Sequence, residues 1–228
     1  MNRRQFGAFS IVSLALGFGI GKILPSSHAN ELYLRPPGAV SNFETLCIKC
    51  GQCVQVCPYH SIDLLDISTI TSVGTSYIKP EIRGCYLCDL FPCVLACPSG
   101  ALDHDTTQIS DVKMGIALLE NQNACLAFKK EQLKQSDVTA CLERKTRNER
   151  EEAVKDRIKS GLGTVCDLCV ILCPVGSEAI SMKEINEGKI LPQIKEKCVG
   201  CGVCAEVCPP KIIKIIPNKN FSQIYKEG

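Results

Sequence analysis

The sequence predicts an α+β protein made of two small cysteine-organised modules and a charged helical insertion. Three observations carry that expectation. The 228-residue chain holds 17 Cys, nearly all of them in four motifs that each close on Cys-Pro. A short apolar stretch follows every motif. A densely charged segment separates the second motif from the third. Cysteine at this density approaches that of a cysteine framework rather than an ordinary enzyme. The odd count excludes complete disulfide pairing within one chain. Trp is absent and aromatics make up 5%, so a core built on large aromatic rings is excluded. Charged residues at 22% and apolar residues at 45% argue against wholesale disorder, and the length allows one or two compact domains.

Residues 1–29 read as an address. Arg3 and Arg4 precede an uncharged stretch from Phe6 to Gly21, and Ser27-His28-Ala29 forms a small-x-small cleavage site. This is the layout of a secretory signal in its twin-arginine form. The apolar run is shorter than the ~20 residues that span a bilayer. The expected location is the periplasm. Export after folding, a general property of the twin-arginine route, is compatible with metal clusters inserted in the cytosol. Losing this segment removes Arg3, Arg4 and Lys22 from the 26 basic residues and none of the 24 acidic ones. The remainder is near neutral, without the footprint of a nucleic-acid-binding protein. Residues 30–45 read as a linker.

The first motif, in region 46–125, is Cys47-x2-Cys50-x2-Cys53-x3-Cys57-Pro58. The last, in region 164–228, is Cys198-x2-Cys201-x2-Cys204-x3-Cys208-Pro209. Both match the bacterial ferredoxin run for a [4Fe–4S] cluster, in which the fourth Cys serves the other cluster of a pair. The second motif, Cys85-x2-Cys88-x4-Cys93-x3-Cys97-Pro98, is a variant. The third, Cys166-x2-Cys169-x3-Cys173-Pro174, lacks one member locally. Two-residue spacers let the backbone wrap a cubane and aim N–H groups at its sulfurs, as in an anion nest. Short loops keep the closure entropy small, and the Pro after the last Cys fixes φ and turns the chain away. The stretches Ile62–Leu65, Ala101-Leu102, Ala179-Ile180 and Ile212–Ile216 read as short strands packing beside the clusters. Zinc sites also use paired Cys-x-x-Cys but do not require the third Cys and the closing Cys-Pro. No Cys-x-x-Cys is followed by His, which excludes covalent haem. No nucleotide-binding fingerprint appears, and no catalytic constellation stands out. His60 and His104 read as ordinary surface or structural histidines.

Four cubanes need sixteen thiolates, and the motifs supply fifteen. Cys125 and Cys141 compete for the last place. Cys141 lies in the segment 126–163, whose stretch from Leu126 to Ser160 has 17 charged residues in 35 and reads as one or two solvated helices. Cys125 follows the apolar stretch Met114–Leu119 and is the expected ligand.

Leu34-Arg35-Pro36-Pro37-Gly38-Ala39, Cys50-Gly51-Gln52-Cys53 and Cys97-Pro98-Ser99-Gly100-Ala101-Leu102-Asp103, together with the twin-arginine start, resemble the NapG/MauM family of periplasmic ferredoxin-type electron carriers. The segment from Met114 to Phe128 resembles the one that carries the upstream ligand of motif three, although here 41 positions separate Cys125 from Cys166. The resemblance implies four [4Fe–4S] clusters with motif one paired to four and two to three. The ligand sets would be Cys47, Cys50, Cys53 and Cys208; Cys198, Cys201, Cys204 and Cys57; Cys85, Cys88, Cys93 and Cys173; and Cys125, Cys166, Cys169 and Cys97. It also implies a membrane quinol-oxidising iron–sulfur partner, NapH-like, holding the chain at the inner membrane. Electrons would pass toward a c-type cytochrome or nitrate reductase in the periplasm. The alternatives are the electron-transfer subunit of another molybdopterin oxidoreductase and a MauM-like carrier in amine oxidation. A structural metal-binding or maturation protein is the non-redox alternative.

Overall fold

Each stretch between consecutive motifs one and two, or three and four, contains short apolar runs such as Ile62–Leu65 and Ala179-Ile180, whose backbone donors and acceptors need partners once buried. The computed structural model describes residues 33–67, 72–185 and 188–225. The twin-arginine segment lies outside the described residues.

In the first module, α1 (Phe43–Leu46) leads into motif one and α2 (Gln52–Gln55) carries its third cysteine. Strands β1 (Ile62–Leu64) and β2 (Ser76–Ile78) form an antiparallel hairpin, with Ile62 opposite Ile78. Helix α3 (Pro92–Leu95) carries Cys93 of motif two. A bridge between Ala39 and Leu102 closes the module. The described part of the expected linker is therefore an arm of this module. Leu34 and Phe43 are buried and Leu34 bridges Ile78. The buried Arg35 donates to Thr75 Oγ1 and Ser76 O and pairs with Glu44.

Strand β3 (Gly115–Leu119) falls on the N-terminal side of the predicted boundary at 125, yet it belongs to the second module. It pairs antiparallel with the C-terminal strand, from Gly115 opposite Pro217 to Leu119 opposite Ile213. The physical reason is its apolar ladder. Ile116 and Ala117 are fully buried, and a lone strand would leave their amides unpaired. The insertion therefore sits within the second module, between β3 and motif three. It holds α4 (Thr139–Leu142) and α5 (Glu149–Ser160), and a bridge from Gln132 to Val165 ties its base. Next come α6 (Leu168–Ile171), the antiparallel hairpin of β4 (Ile180–Glu184) and β5 (Ile190–Ile194), α7 (Val203–Val207), β6 (Ile213–Pro217) and α8 (Phe221–Tyr225). Both modules thus run arm or strand, motif, hairpin, motif, arm or strand. No helix among the described residues is long and apolar enough to cross a bilayer.

Two glycines set the packing of motif four. A Cβ on Gly200 would lie 2.3 Å from the carbonyl carbon of Gly115, and one on Gly84 would lie 2.4 Å from Val203 N. The motif-four loop therefore rests on the backbone of β3 on one side and on the first module on the other.

The charged insertion is not simply a solvated face. Asn148 caps α5 by accepting from Glu151 N–H, as its position at a helix start favours, and donates to Pro58 O at 2.7 Å. The Glu151 side chain is 1% exposed, 2.9 Å from His60 Nδ1 and 3.3 Å from Arg83 Nη1. Arg144 pairs with Glu206 and donates to Ile82 O. The inner side of the insertion thus holds both modules, while Lys145, Glu149, Arg150 and Lys159 stay exposed.

Burial alone would raise the Glu151 carboxyl. Hydrogen bonds from His60 and the Arg147 N–H, with the Arg83 charge, more than offset that and hold it below the usual range. A depressed carboxyl stabilises the fold above its unfolded value near 4.5, and the contribution is lost as pH falls through the lower folded value. Glu151→Ala should cost about 3 kcal/mol of stability at neutral pH, as removing one partner of a buried pair does. Unfolding curves should show the two proteins converging as the solution is acidified below that range.

Candidate metal centres

The motif loops take a backbone shape that few residues adopt. Lys49 and Gly51 in motif one and Gly200 and Gly202 in motif four have positive φ, between 61° and 86°. In motif two the same sign falls on Leu87, Leu90 and Phe91. Mixing left- and right-handed residues turns successive N–H groups toward one side and makes a concave nest for anionic sulfur. A non-glycine residue there costs of order 1–3 kcal/mol and persists only when its surroundings dictate it. A second turn follows each closing Cys-Pro. Three residues beyond the cysteine stand His60, Gly100, Gly176 and Lys211, each left-handed. Beyond it, Ser61 N–H donates to Cys57 Sγ at 3.3 Å and Leu102 N–H to Cys97 Sγ at 3.4 Å. His60 therefore serves this turn and the Glu151 contact, and the exposed His104 lies 3.0 Å from Cys97 O.

These turns gather twelve cysteines in three fours around cavities. Cys57, Cys85, Cys88 and Cys93 line one with Tyr86, Phe91 and Ile62. Cys173, Cys198, Cys201 and Cys204 line a second with Ile180, Ile194 and Ile215. Cys125, Cys166, Cys169 and Cys208 line a third with Leu119, Leu168 and Ile213. The empty volumes, space open to solvent included, are about 320, 330 and 340 Å³. Of the motif cysteines left, Cys47 and Cys50 lie close enough to Cys53 to repel its thiolate, and Cys97 lines none of the three cavities.

This grouping corrects the expected pairing of motif one with four and two with three. Cys57 stands with motif two, Cys173 with motif four and Cys208 with motif three. The reason is the hairpin inside each module, which returns the chain at once and sets consecutive motifs side by side. A short closed loop loses less entropy than one that joins the chain's ends. The structure also separates Cys125 from Cys141. Cys125 lines the third cavity, whereas Cys141 lines none of the three and points its sulfur at Glu206 O, 3.8 Å away.

The three cavities and the motif-one cysteines follow one another in a row. Burial and neighbouring sulfurs push the thiols up. Cys88 and Cys166 rise to about 11 and Cys93 to about 12, while Cys85, Cys169 and Cys204 go well above the usual value. Which sulfurs contribute reveals the order. Cys93 is affected by Cys53 of the motif-one group, Cys85 by Cys201 of the motif-four group, and Cys204 by Cys169 of the motif-three group. The middle contact is also close along the backbone, since Cys85 N–H donates to Cys201 O at 2.7 Å. The order is therefore motif one, two, four, three.

The residues fit iron–sulfur cubanes on their own chemistry. Among the described residues no three His, Cys, Asp or Glu side chains converge closely enough to hold a single metal ion, as a tetrahedral zinc with Zn–S of about 2.3 Å would require. Four sulfurs around a cavity, with backbone N–H groups aimed at them, match a larger anionic object. Buried thiols this hard to ionise need iron to offset the cost of thiolate charge.

Sequence comparison agrees with the grouping. The 4Fe-4S dicluster domain family matches residues 46–101 and 163–212, each span holding two consecutive motifs. The chain is 33% identical over 214 residues to the ferredoxin-type protein NapG of Escherichia coli K12, covering 89% of this chain and 78% of that protein. It is 31% identical over 208 residues to the methylamine utilization ferredoxin-type protein MauM of Paracoccus denitrificans, covering 89% and 75%. The MauM of Methylophilus methylotrophus is 31% identical over 224 residues, covering 95% and 83%.

Sequence reasoning missed Gly84, Arg144, Glu151 and Glu206, because nothing in motif spacing marks a residue that joins two modules. The grouping itself is open to a spectroscopic check. Cys57→Ser should alter the same EPR signal as Cys85→Ser, and Cys208→Ser the same signal as Cys166→Ser. Cys208→Ser matching Cys47→Ser instead would restore the pairing that the structure replaces.

Proposed function

The chain belongs to the NapG/MauM family of ferredoxin-type proteins, and we propose that it relays electrons from a membrane quinol-oxidising iron–sulfur partner toward periplasmic nitrate reductase. Its general character is that of an iron–sulfur electron-transfer protein. The observation that supports a relay is the row made by the three cysteine-lined cavities and the motif-one cysteines. In this reading the row holds four [4Fe–4S] clusters. Cys47, Cys50, Cys53 and Cys97 bind one, and Cys57, Cys85, Cys88 and Cys93 the next. Cys173, Cys198, Cys201 and Cys204 follow, and Cys125, Cys166, Cys169 and Cys208 end the row. When bound, such a cluster takes up and releases one electron at a time.

The chain's own residues shape what this row does. The buried Cys85, Cys93, Cys201 and Cys204 keep the two inner groups away from water. The first group opens outward at the exposed Cys50. Ile48 beside it is 64% exposed and Leu95 on α3 is 62% exposed. That end suits contact with a redox partner, because apolar side chains exposed at one site favour association. Export by the twin-arginine route would place the folded protein in the periplasm, at the inner membrane through its partner, with a c-type cytochrome or the reductase as acceptor.

The MauM relatives match about as well as NapG, which favours one second reading, a carrier serving amine oxidation. Deleting this chain should abolish most quinol-linked nitrate reduction in intact cells. Unchanged nitrate flux with lost amine-dependent respiration would transfer the protein to the second reading. For the purified protein, iron content should be about 16 per chain and remain so in Cys141→Ser. In Cys125→Ser it should fall to about 12, or the remaining iron should show an altered EPR signal.

A further inference from the structure

Glu206 lies in α7 between Cys204 and Cys208, so its sequence neighbours belong to the two groups of the second module. Its side chain is 3% exposed and reaches across to the first module. Gly84 N–H donates to Oε2 at 2.8 Å, and Tyr86 O–H donates to the same oxygen at 3.1 Å. These two residues flank Cys85. Arg144 of the insertion donates to Oε1 and, with its other nitrogen, to Ile82 O. One carboxylate therefore grips the motif-two loop on both sides of its first cysteine, where Cys85 N–H meets Cys201 O. Glu206 is buried with Arg144 as its ion-pair partner, an arrangement that is hard to explain as stabilisation alone, since a buried ion pair is often no better than an apolar pair of similar volume.

We propose that Glu206 is the positioning residue for the electron step between the two modules, with Arg144 as its counter-charge; this rests on the cluster assignment above. Tunnelling falls steeply with distance, so the bonds to Gly84 and Tyr86 hold the motif-two and motif-four groups at a working separation. A charge in this low-dielectric junction also acts strongly on both groups. The negative carboxylate opposes arrival of an electron, and the guanidinium relieves part of that opposition. The insertion is thereby a tuning element as well as a clamp.

The test is anaerobic redox titration followed by EPR on the iron-loaded full chain, with iron measured for every protein. Glu206→Gln keeps the shape and removes the charge. The reduced-to-oxidised ratio of the motif-two and motif-four groups at fixed potential should rise about tenfold, an upward shift of about 59 mV for one electron. Arg144→Met should move the same two groups downward. In both variants the motif-one group should stay in place. In Glu206→Gln the magnetic interaction between the two inner groups should persist, and in Glu206→Ala it should weaken. A purely structural role would lower stability without shifts of opposite sign. Full iron with unmoved potentials, or shifts of the same sign in both variants, overturns the proposal. If Glu206→Gln does not assemble, Arg144→Met decides by the same downward shift or its absence. Wild-type iron well below 16 per chain would instead overturn the four-cluster assignment, and this proposal with it.

Discussion

The last cysteine of a motif lines its neighbour's cavity, and the rest of the structure depends on that exchange. Cys57 and Cys173 each stand with three cysteines of another motif, and Cys208 stands with Cys166 and Cys169 of motif three and with Cys125. A sulfur lent in this way forces two loops into contact, so each module must hold its motifs side by side. The β1–β2 and β4–β5 hairpins are the means, since each reverses the chain over a short distance. The short helices α2, α3, α6 and α7 follow from the cysteine spacing rather than from any periodic apolar face. Helices of four or five residues are too short to be stable alone. They persist here because sulfur, proline and the cavity walls fix both of their ends.

The second organising contact joins the modules. Gly84 against Val203, Cys85 against Cys201 and Glu206 against both flanks of Cys85 make one seam. The seam also determines how far the charged insertion is free. Its inner charges are committed, Arg144 to Glu206 and Glu151 to His60 and Arg83, while its outer charges are exposed. Small modules with few aromatics have little apolar area to bury. Metal-binding loops are one available compensation, and this chain sets two of its cysteine-lined cavities on either side of the seam.

Much of this was legible in the sequence where the information is local. The four motifs announce the cysteine groups because a cubane dictates the spacing within one loop. Cys125 was preferred to Cys141 from the apolar run before it, and that run is β3. What was not legible is non-local. The sequence pattern does not say which motif receives Cys57 or Cys208, since that depends on where the chain turns. The pairing of β3 is non-local in the same way: Gly115–Leu119 meets a strand 94 residues away at its nearest register, Leu119 opposite Ile213. Glu206 stayed hidden because a glutamate inside a cysteine motif looks like solvent decoration until the fold brings Gly84 and Tyr86 to it. Arg144 and Glu151 were hidden within a run whose composition suggested a solvated face, with a docking surface as the alternative.

The central claim is a row of four iron-binding groups in the order motif one, two, four, three. Iron-edge anomalous diffraction from crystals of the iron-loaded protein tests it most directly, because the peaks locate the metal without assuming ligands. The account predicts four compact peaks in a chain, the motif-two peak adjoining the motif-four peak and the motif-three peak at one end. Fewer than four peaks, or a motif-two peak whose nearest neighbour in the other module is the motif-three peak, would contradict it.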